Sequence, residues 1–246
     1  MSTLPELFEE LKMHAALSCY EQLRHSLKDR EQVVIRALET EVQSRRERAL
    51  KRRLSQARFP VEKEWVELDR SLNPSIDFDS IEQLFDGEFV RQRRNVCFVG
   101  NQGTGKTHSL ISLGRELCRK GHAVRFYTAC ELVNVLEEAK RTLMVTTVMK
   151  ALLKPKLLII DELGFVPFSD NGARLLFDVL ASRYERGSTA VSTNLSLDKW
   201  VDVFGSVELT AALIDRFCHR AEIFAFEGES VRLFQAKHLA AGKKSG

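Results

Sequence analysis

The sequence contains no apolar run long enough to cross a bilayer. Across 246 residues no stretch of Ala, Val, Ile, Leu, Met, Phe, Trp, Tyr or Cys exceeds four, whereas a membrane-spanning helix needs about 20. The opening, MSTLPELFEELKMHAAL, has no charged-then-apolar leader, so no secretory signal is expected. No C-x-x-C pair occurs. The cysteines, Cys19, Cys97, Cys118, Cys130 and Cys218, are odd in number and scattered. That argues against a disulfide framework or a zinc site and fits a reducing cytoplasm. Neither sign of charge dominates, and a net charge of +3 says little about partners. Internal repeats and low-complexity segments are absent. With 44% hydrophobic and 29% charged residues, global disorder is excluded and a packed core is expected.

Glycine is missing from the first 58 residues, and the only proline there is Pro5. Leu4, Leu7, Phe8, Leu11 and Leu17 recur near helical spacing, which reads as packing. A second helical stretch is expected from about Asp29 to Ala57, ending strongly basic. Residues 1–58 are therefore read as a helical N-terminal domain. Residues 59–94, with the Asn-Pro turn signal of SLNPSIDFD, are read as a linker. From 95 to 246 short apolar strands alternate with helical stretches: NVCFVG, AVRFYT, KLLIIDE, TAVSTN and AEIFAF. That pattern predicts a parallel α/β sheet covered on both faces.

The strongest motif is Gly100-Asn101-Gln102-Gly103-Thr104-Gly105-Lys106-Thr107, between an apolar strand and an amphipathic helix. It fits G-x-x-x-x-G-K-[ST]. Glycines let the backbone wrap phosphate oxygens with N–H groups inward, and a helix N-terminus adds its dipole. Lys106 would reach the β- and γ-phosphates and Thr107 would ligate Mg²⁺. His108, next in line, is counted with this nucleotide-binding segment and read as packing, not as a base. LLIIDE places Asp161 and Glu162 at a strand's C-terminal end, where open α/β sheets bind ligands. Asp161 would hold Mg²⁺ and Glu162 would activate the attacking water. Because consecutive strand residues point to opposite sides, two separate roles are expected. Asn194, in VSTNLS, would hydrogen-bond the γ-phosphate or the lytic water. Arg216, in LTAALIDRFCHR, is either a rim arginine reaching a neighbouring subunit's γ-phosphate or an ordinary surface ion-pair partner.

On these residues the chain resembles the IstB-type transposition helper ATPases, which belong to the AAA+ class, and is similar to DnaC-type helicase loaders. ARFPVEK, GTGKTH, LLIIDELGFVP, GARLLFDVL, STNLSLDKW, LTAALIDRFCHRAEI and GESVRL carry the likeness. The resemblance implies an αβα sandwich with five parallel strands in the order 5-1-4-3-2, the lid domain absent or truncated. It implies an ATPase with ATP and Mg²⁺ as cofactors, an ATP-dependent homo-oligomer, binding to double-stranded DNA and delivery of that DNA to a cognate transposase. Lys106, Thr107, Asp161, Glu162, Asn194 and Arg216 then take the Walker A, Walker B, sensor 1 and arginine-finger roles. Asn101-Gln102 stands where the family usually has Pro-Pro. Neither pair contacts phosphate through its side chains, so nucleotide binding is expected to survive with a less stiff loop. Arg232 is a poor candidate for a sensor 2.

The basic run Arg45, Arg46, Arg48, Lys51, Arg52, Arg53 and Arg58 is the chief DNA candidate, suited to tracking a phosphate backbone more than reading bases. Its plainer reading is a solvated helix. Lys140-Arg141 is a second candidate, opening the stretch KRTLMVTTVMKALLK, which fits a channel-lining insertion or an exposed helix-turn. Two rival functions remain open at this point: a replicative helicase loader and a small-molecule P-loop kinase.

Overall fold

A computed structural model describes residues 3–23, 30–165, 167–231 and 233–234; Arg232 lies outside them. Contacts group the chain into two compact units divided between Arg52 and Arg53. Among the described residues no helix is long and apolar enough to cross a membrane.

The first unit holds α1 (Leu4–Glu10), α2 (His14–Leu23) and most of α3 (Arg30–Ala57). Thr3 starts α1 with a capping box: its N–H donates to the Glu6 carboxylate, and its hydroxyl accepts from the Glu6 N–H. Such reciprocal bonds satisfy N–H groups the helix cannot pair itself. Phe8, Ala16 and Ala37 form a small core.

The second unit is built on one parallel sheet: β1 (Asn95–Gly100), β2 (Val124–Thr128), β3 (Leu157–Leu163), β4 (Ser188–Thr193) and β5 (Ala221–Phe226). The order is β2-β3-β4-β1-β5, all pairs parallel, as the resemblance implies. Helices α6 (Lys106–Arg119), α7 (Ala129–Arg141), α8 (Val145–Leu153), α9 (Asp170–Arg183), α10 (Val201–Phe204) and α11 (Val207–Cys218) connect them. Leu158 and Ile160 of β3 join the core under α7 and α9, while Ile159 meets α6 at Gly114. Period-two alternation thus supplies both faces.

β4 is wholly buried although it reads STAVST. It tolerates burial because its hydroxyls find partners. Ser188 donates to the Phe89 carbonyl, Thr189 accepts from Arg183, Ser192 donates to Asp161, and Thr193 accepts from the Leu195 N–H. Arg183 is itself 1% exposed. Its guanidinium donates to the carbonyls of Leu152, Pro155 and Ser188 at 2.7, 3.2 and 2.6 Å. Burial lowers its pKa to about 10. One arginine thereby ties the end of α8 to the starts of β3 and β4.

The segment 59–94, read as a linker, is itself folded against the sheet unit. It contains short 3-10 turns at Trp65–Glu67, Arg70–Leu72 and Leu84–Asp86, together with α4 (Phe78–Gln83) and α5 (Glu88–Arg91). Ile76, Phe78, Ile81, Leu84, Phe89 and Val90 are buried there. Phe59 explains the preceding ARFP. A Cβ at Gly114 of α6 would lie 2.8 Å from the Phe59 ring, so the helix needs glycine where the ring crosses it. Further along, Glu64 pairs with Arg115 and Arg119 of α6. The hydrogen-bonded Arg119 guanidinium holds the Glu64 carboxyl below its usual range against the opposing effect of burial, and Arg115 adds to the lowering.

Candidate functional site

The phosphate loop joins β1 to α6. Gly103 and Gly105 have φ of +80° and +104°, a region costly for other residues. Gly105 is the N-cap of α6 and provides no side-chain cap, so the helix's first N–H groups can take an external anion. Gly100 faces a different constraint: a Cβ there would sit 2.1 Å from the Phe226 carbonyl. The Lys106 ammonium curls onto its own loop, donating to the carbonyls of Gly100 and Asn101 at 2.7 and 2.5 Å.

The departure from Pro-Pro has a structural counterpart. The Asn101 N–H donates to the Phe226 carbonyl at 3.2 Å, a bond proline could not make. Thr104 also donates to the Asn101 carbonyl at 2.8 Å. Two hydrogen bonds thus hold a loop that sequence alone suggests is less stiff. Ser230 and Val231 of GESVRL lie against the same loop. The Val231 N–H donates to the Gly103 carbonyl at 3.0 Å, and a Cβ on Gly103 would collide with the Ser230 hydroxyl.

Lys106, Thr107, Glu162 and Asn194 come together around one cleft of about 340 Å³, with Gln102, Gly103, Gly105 and His108 also on its wall. Asp161 lies behind it, 2% exposed. The Thr107 hydroxyl faces the Asp161 carboxylate, 2.9 and 3.2 Å from its two oxygens. The His108 Nε2 is hydrogen-bonded to the Glu64 carbonyl at 2.7 Å.

The strand is irregular where Asp161 and Glu162 sit. Ile160 pairs with Val191 but Leu163 pairs with Thr193, so β3 carries one extra residue here. Such a bulge re-aims side chains. Glu162 takes φ +60°, a sparsely populated conformation for a non-glycine residue and one found at functional sites. Its N–H donates to the Ser192 hydroxyl at 2.9 Å. Asp161 becomes the buried carboxylate and Glu162 the exposed one on the same cleft.

Arg216 is elsewhere. It is exposed on α11 and lines a crevice with Asn95 and Thr189, at the N-terminal ends of β1 and β4. The phosphate loop leaves the C-terminal end of β1, about 17 Å away at ~3.3 Å per residue. Arg216 therefore cannot serve its own chain's loop.

The basic run is unevenly engaged. Arg45 and Arg48 pair with the buried Glu41 at 2.8 and 3.3 Å. Arg53 is half-buried and donates to the Cys118 carbonyl at 2.8 Å, so it is a packing residue as much as a surface charge. Arg46, Lys51, Arg52 and Arg58 are exposed and form no ion pair among the described residues. Lys140 donates to Asn171 and Arg141 pairs with Glu138. The stretch after them is a turn followed by α8, with Leu143 91% exposed.

Ile111, Ser192 and Thr193 line the cleft without having been read as site residues, and so do Val61, Lys63 and Phe165. Of the last three, the first two belong to ARFPVEK and the third to DELGF, segments noticed as signatures but carrying no recognisable chemistry of their own.

The family model described as IstB-like ATP binding protein matches residues 7–240. The chain belongs to this family. An ATP-binding protein of insertion sequence IS5376 from Geobacillus stearothermophilus is 34% identical over 81% of this chain and 80% of its own length. One from IS21 of Pseudomonas aeruginosa is 32% identical over 92% and 84%. Among solved structures, DnaI superposes with a TM-score of 0.55 at 17% identity over 69% of this chain and 90% of that one. The replication initiator DnaA, bound to AMPPCP and single-stranded DNA, gives 0.51 at 19% over 62% and 45%. The IstB-like chain therefore has the AAA+ fold of these replication proteins.

Proposed function

We propose that this IstB-like protein hydrolyses ATP, binds double-stranded DNA as an ATP-dependent homo-oligomer, and delivers that DNA to the transposase of an insertion sequence. The observation that carries the ATPase reading is the single cleft uniting Lys106, Thr107, Glu162 and Asn194 in front of Asp161. The names of its relatives, ATP-binding proteins of insertion sequences, support the link to an insertion sequence.

The donor set fits Mg²⁺. Thr107 and Asp161 offer oxygen ligands within 3.2 Å of one another. Few protein ligands completed by phosphate oxygens and water is the usual Mg²⁺ arrangement. When bound, Mg²⁺ supplies charge neutralisation at the β- and γ-phosphate oxygens. Lys106 exchanges its loop carbonyls for phosphate oxygens. Glu162 accepts a proton from the attacking water, and Asn194 donates to the γ-phosphate or orients that water. Arg216, on the opposite end of the sheet, completes a neighbouring subunit's site.

DNA is met by phosphate contacts from Arg46, Lys51, Arg52 and Arg58. Reversing Arg46 and Arg52 to Glu tests this without disturbing the packed Arg53. Affinity should fall alike for all sequences, and the salt slope should drop by about 0.9 for each lost contact. Filter binding across a salt series measures both. Unchanged binding would return these residues to a solvated helix, and loss confined to one target sequence would contradict backbone tracking.

A further inference from the structure

We propose that Ser192 is a positioning residue for hydrolysis, setting Asp161 and Glu162 in their separate roles through a single hydroxyl. Its proton goes to the Asp161 Oδ1, and its oxygen accepts the Glu162 N–H at 2.9 Å. No role for Ser192 follows from the nucleotide-loop chemistry, which needs only the residues already named. The placement nevertheless makes it the hinge of the site.

Two features make this more than a buried hydroxyl finding an acceptor. The extra residue in β3 displaces Glu162 from the regular ladder between Ile160–Val191 and Leu163–Thr193. The Ser192 side chain then takes the N–H of the displaced residue, so the hydroxyl props open the bulge that holds Glu162 at φ +60°. Second, Asp161 is gripped from two elements. Thr107 of α6 donates to its carboxylate from one direction and Ser192 of β4 from another, which leaves that carboxylate one orientation behind the cleft. Ser192 is 2% exposed yet borders the cleft. A hydroxyl in this position links the residue that would hold Mg²⁺ to the residue that would activate water. Serine suits the place because one donor and one acceptor must be offered from a short side chain. Alanine offers neither.

This rests on the hydrolytic reading of the cleft, and the test separates the two. Steady-state ATP turnover is measured for the wild type, Ser192→Ala, Ser192→Thr and Glu162→Gln, and for Ser192→Ala combined with Glu162→Gln, with thermal melting as the control for folding. Ser192→Ala should lower kcat by about 10²-fold, the scale of a small misplacement of reacting groups, while KM for ATP moves less than about threefold. Ser192→Thr keeps the hydroxyl and should recover most of the rate. In the Glu162→Gln background the same alanine should cost clearly less than in the wild type, because only its hold on Asp161 is still there to lose. A wild type without turnover overturns the hydrolytic reading and this proposal with it. An active wild type overturns this proposal alone if Ser192→Ala leaves kcat unchanged. So does an equal loss in the Ala and Thr variants at unchanged melting temperature, or a full further loss on top of Glu162→Gln.

Discussion

Subunits carrying Arg216→Ala and subunits carrying Lys106→Ala, each inactive alone, should recover ATP turnover when mixed. Arg216 sits by Asn95 and Thr189 at the opposite end of the sheet from Lys106, so any direct contact of Arg216 with a γ-phosphate has to be with another subunit's nucleotide. Lys106→Ala removes the ammonium the loop aims at phosphate and should abolish tight ATP binding. Arg216→Ala leaves that loop intact. It should still bind ATP but lose turnover by a factor on the order of 10³, the lower range for an arginine finger. In a head-to-tail assembly mixed at equal ratio, about a quarter of interfaces pair an intact loop with an intact arginine. Turnover near that fraction is the expected reading of a phosphate-release assay. If mixed assemblies form and stay inactive, Arg216 acts only structurally, and Arg220, beyond the end of α11, is the next arginine to exchange.

Glu162→Gln should separate binding from chemistry. The amide preserves size and leaves the Asp161–Thr107 pair untouched, but it cannot take up the proton of the attacking water. Loss of a general base typically lowers rate by about 10²–10⁴-fold. ATP affinity should hold, and sedimentation should show ATP-dependent assemblies on DNA that persist because they are not turned over. Wild-type turnover in this variant would mean that another group is the base.

The parallel sheet and the nucleotide loop were legible because both rest on local chemistry. Apolar runs such as LLII can be recognised without knowing their neighbours, and the loop's glycines and lysine are contiguous. Strand order is not local, and it came through resemblance. The linker reading of 59–94 shows the limit. Phe59 packs on Gly114, and Ile76, Phe78 and Ile81 enter the core, pairings between segments that composition cannot reveal. Alternation predicted opposite sides for Asp161 and Glu162; it could not foresee the added residue in β3 at this point, where Asp161 is buried and Glu162 exposed. Within that bulge the Glu162 N–H meets the hydroxyl of Ser192, 30 residues away. Net basic character likewise hid that Arg45 and Arg48 lean on Glu41 and that Arg53 is tied to the Cys118 carbonyl.

The central claim is a DNA-responsive ATPase, and phosphate release from the purified wild-type chain with Mg²⁺, with and without double-stranded DNA, tests it most directly. Hydrolysis of ATP to ADP and inorganic phosphate should rise when the duplex is added and fall back as salt weakens the phosphate contacts. Turnover indifferent to DNA, or transfer of the γ-phosphate to a small-molecule acceptor instead of water, would contradict it.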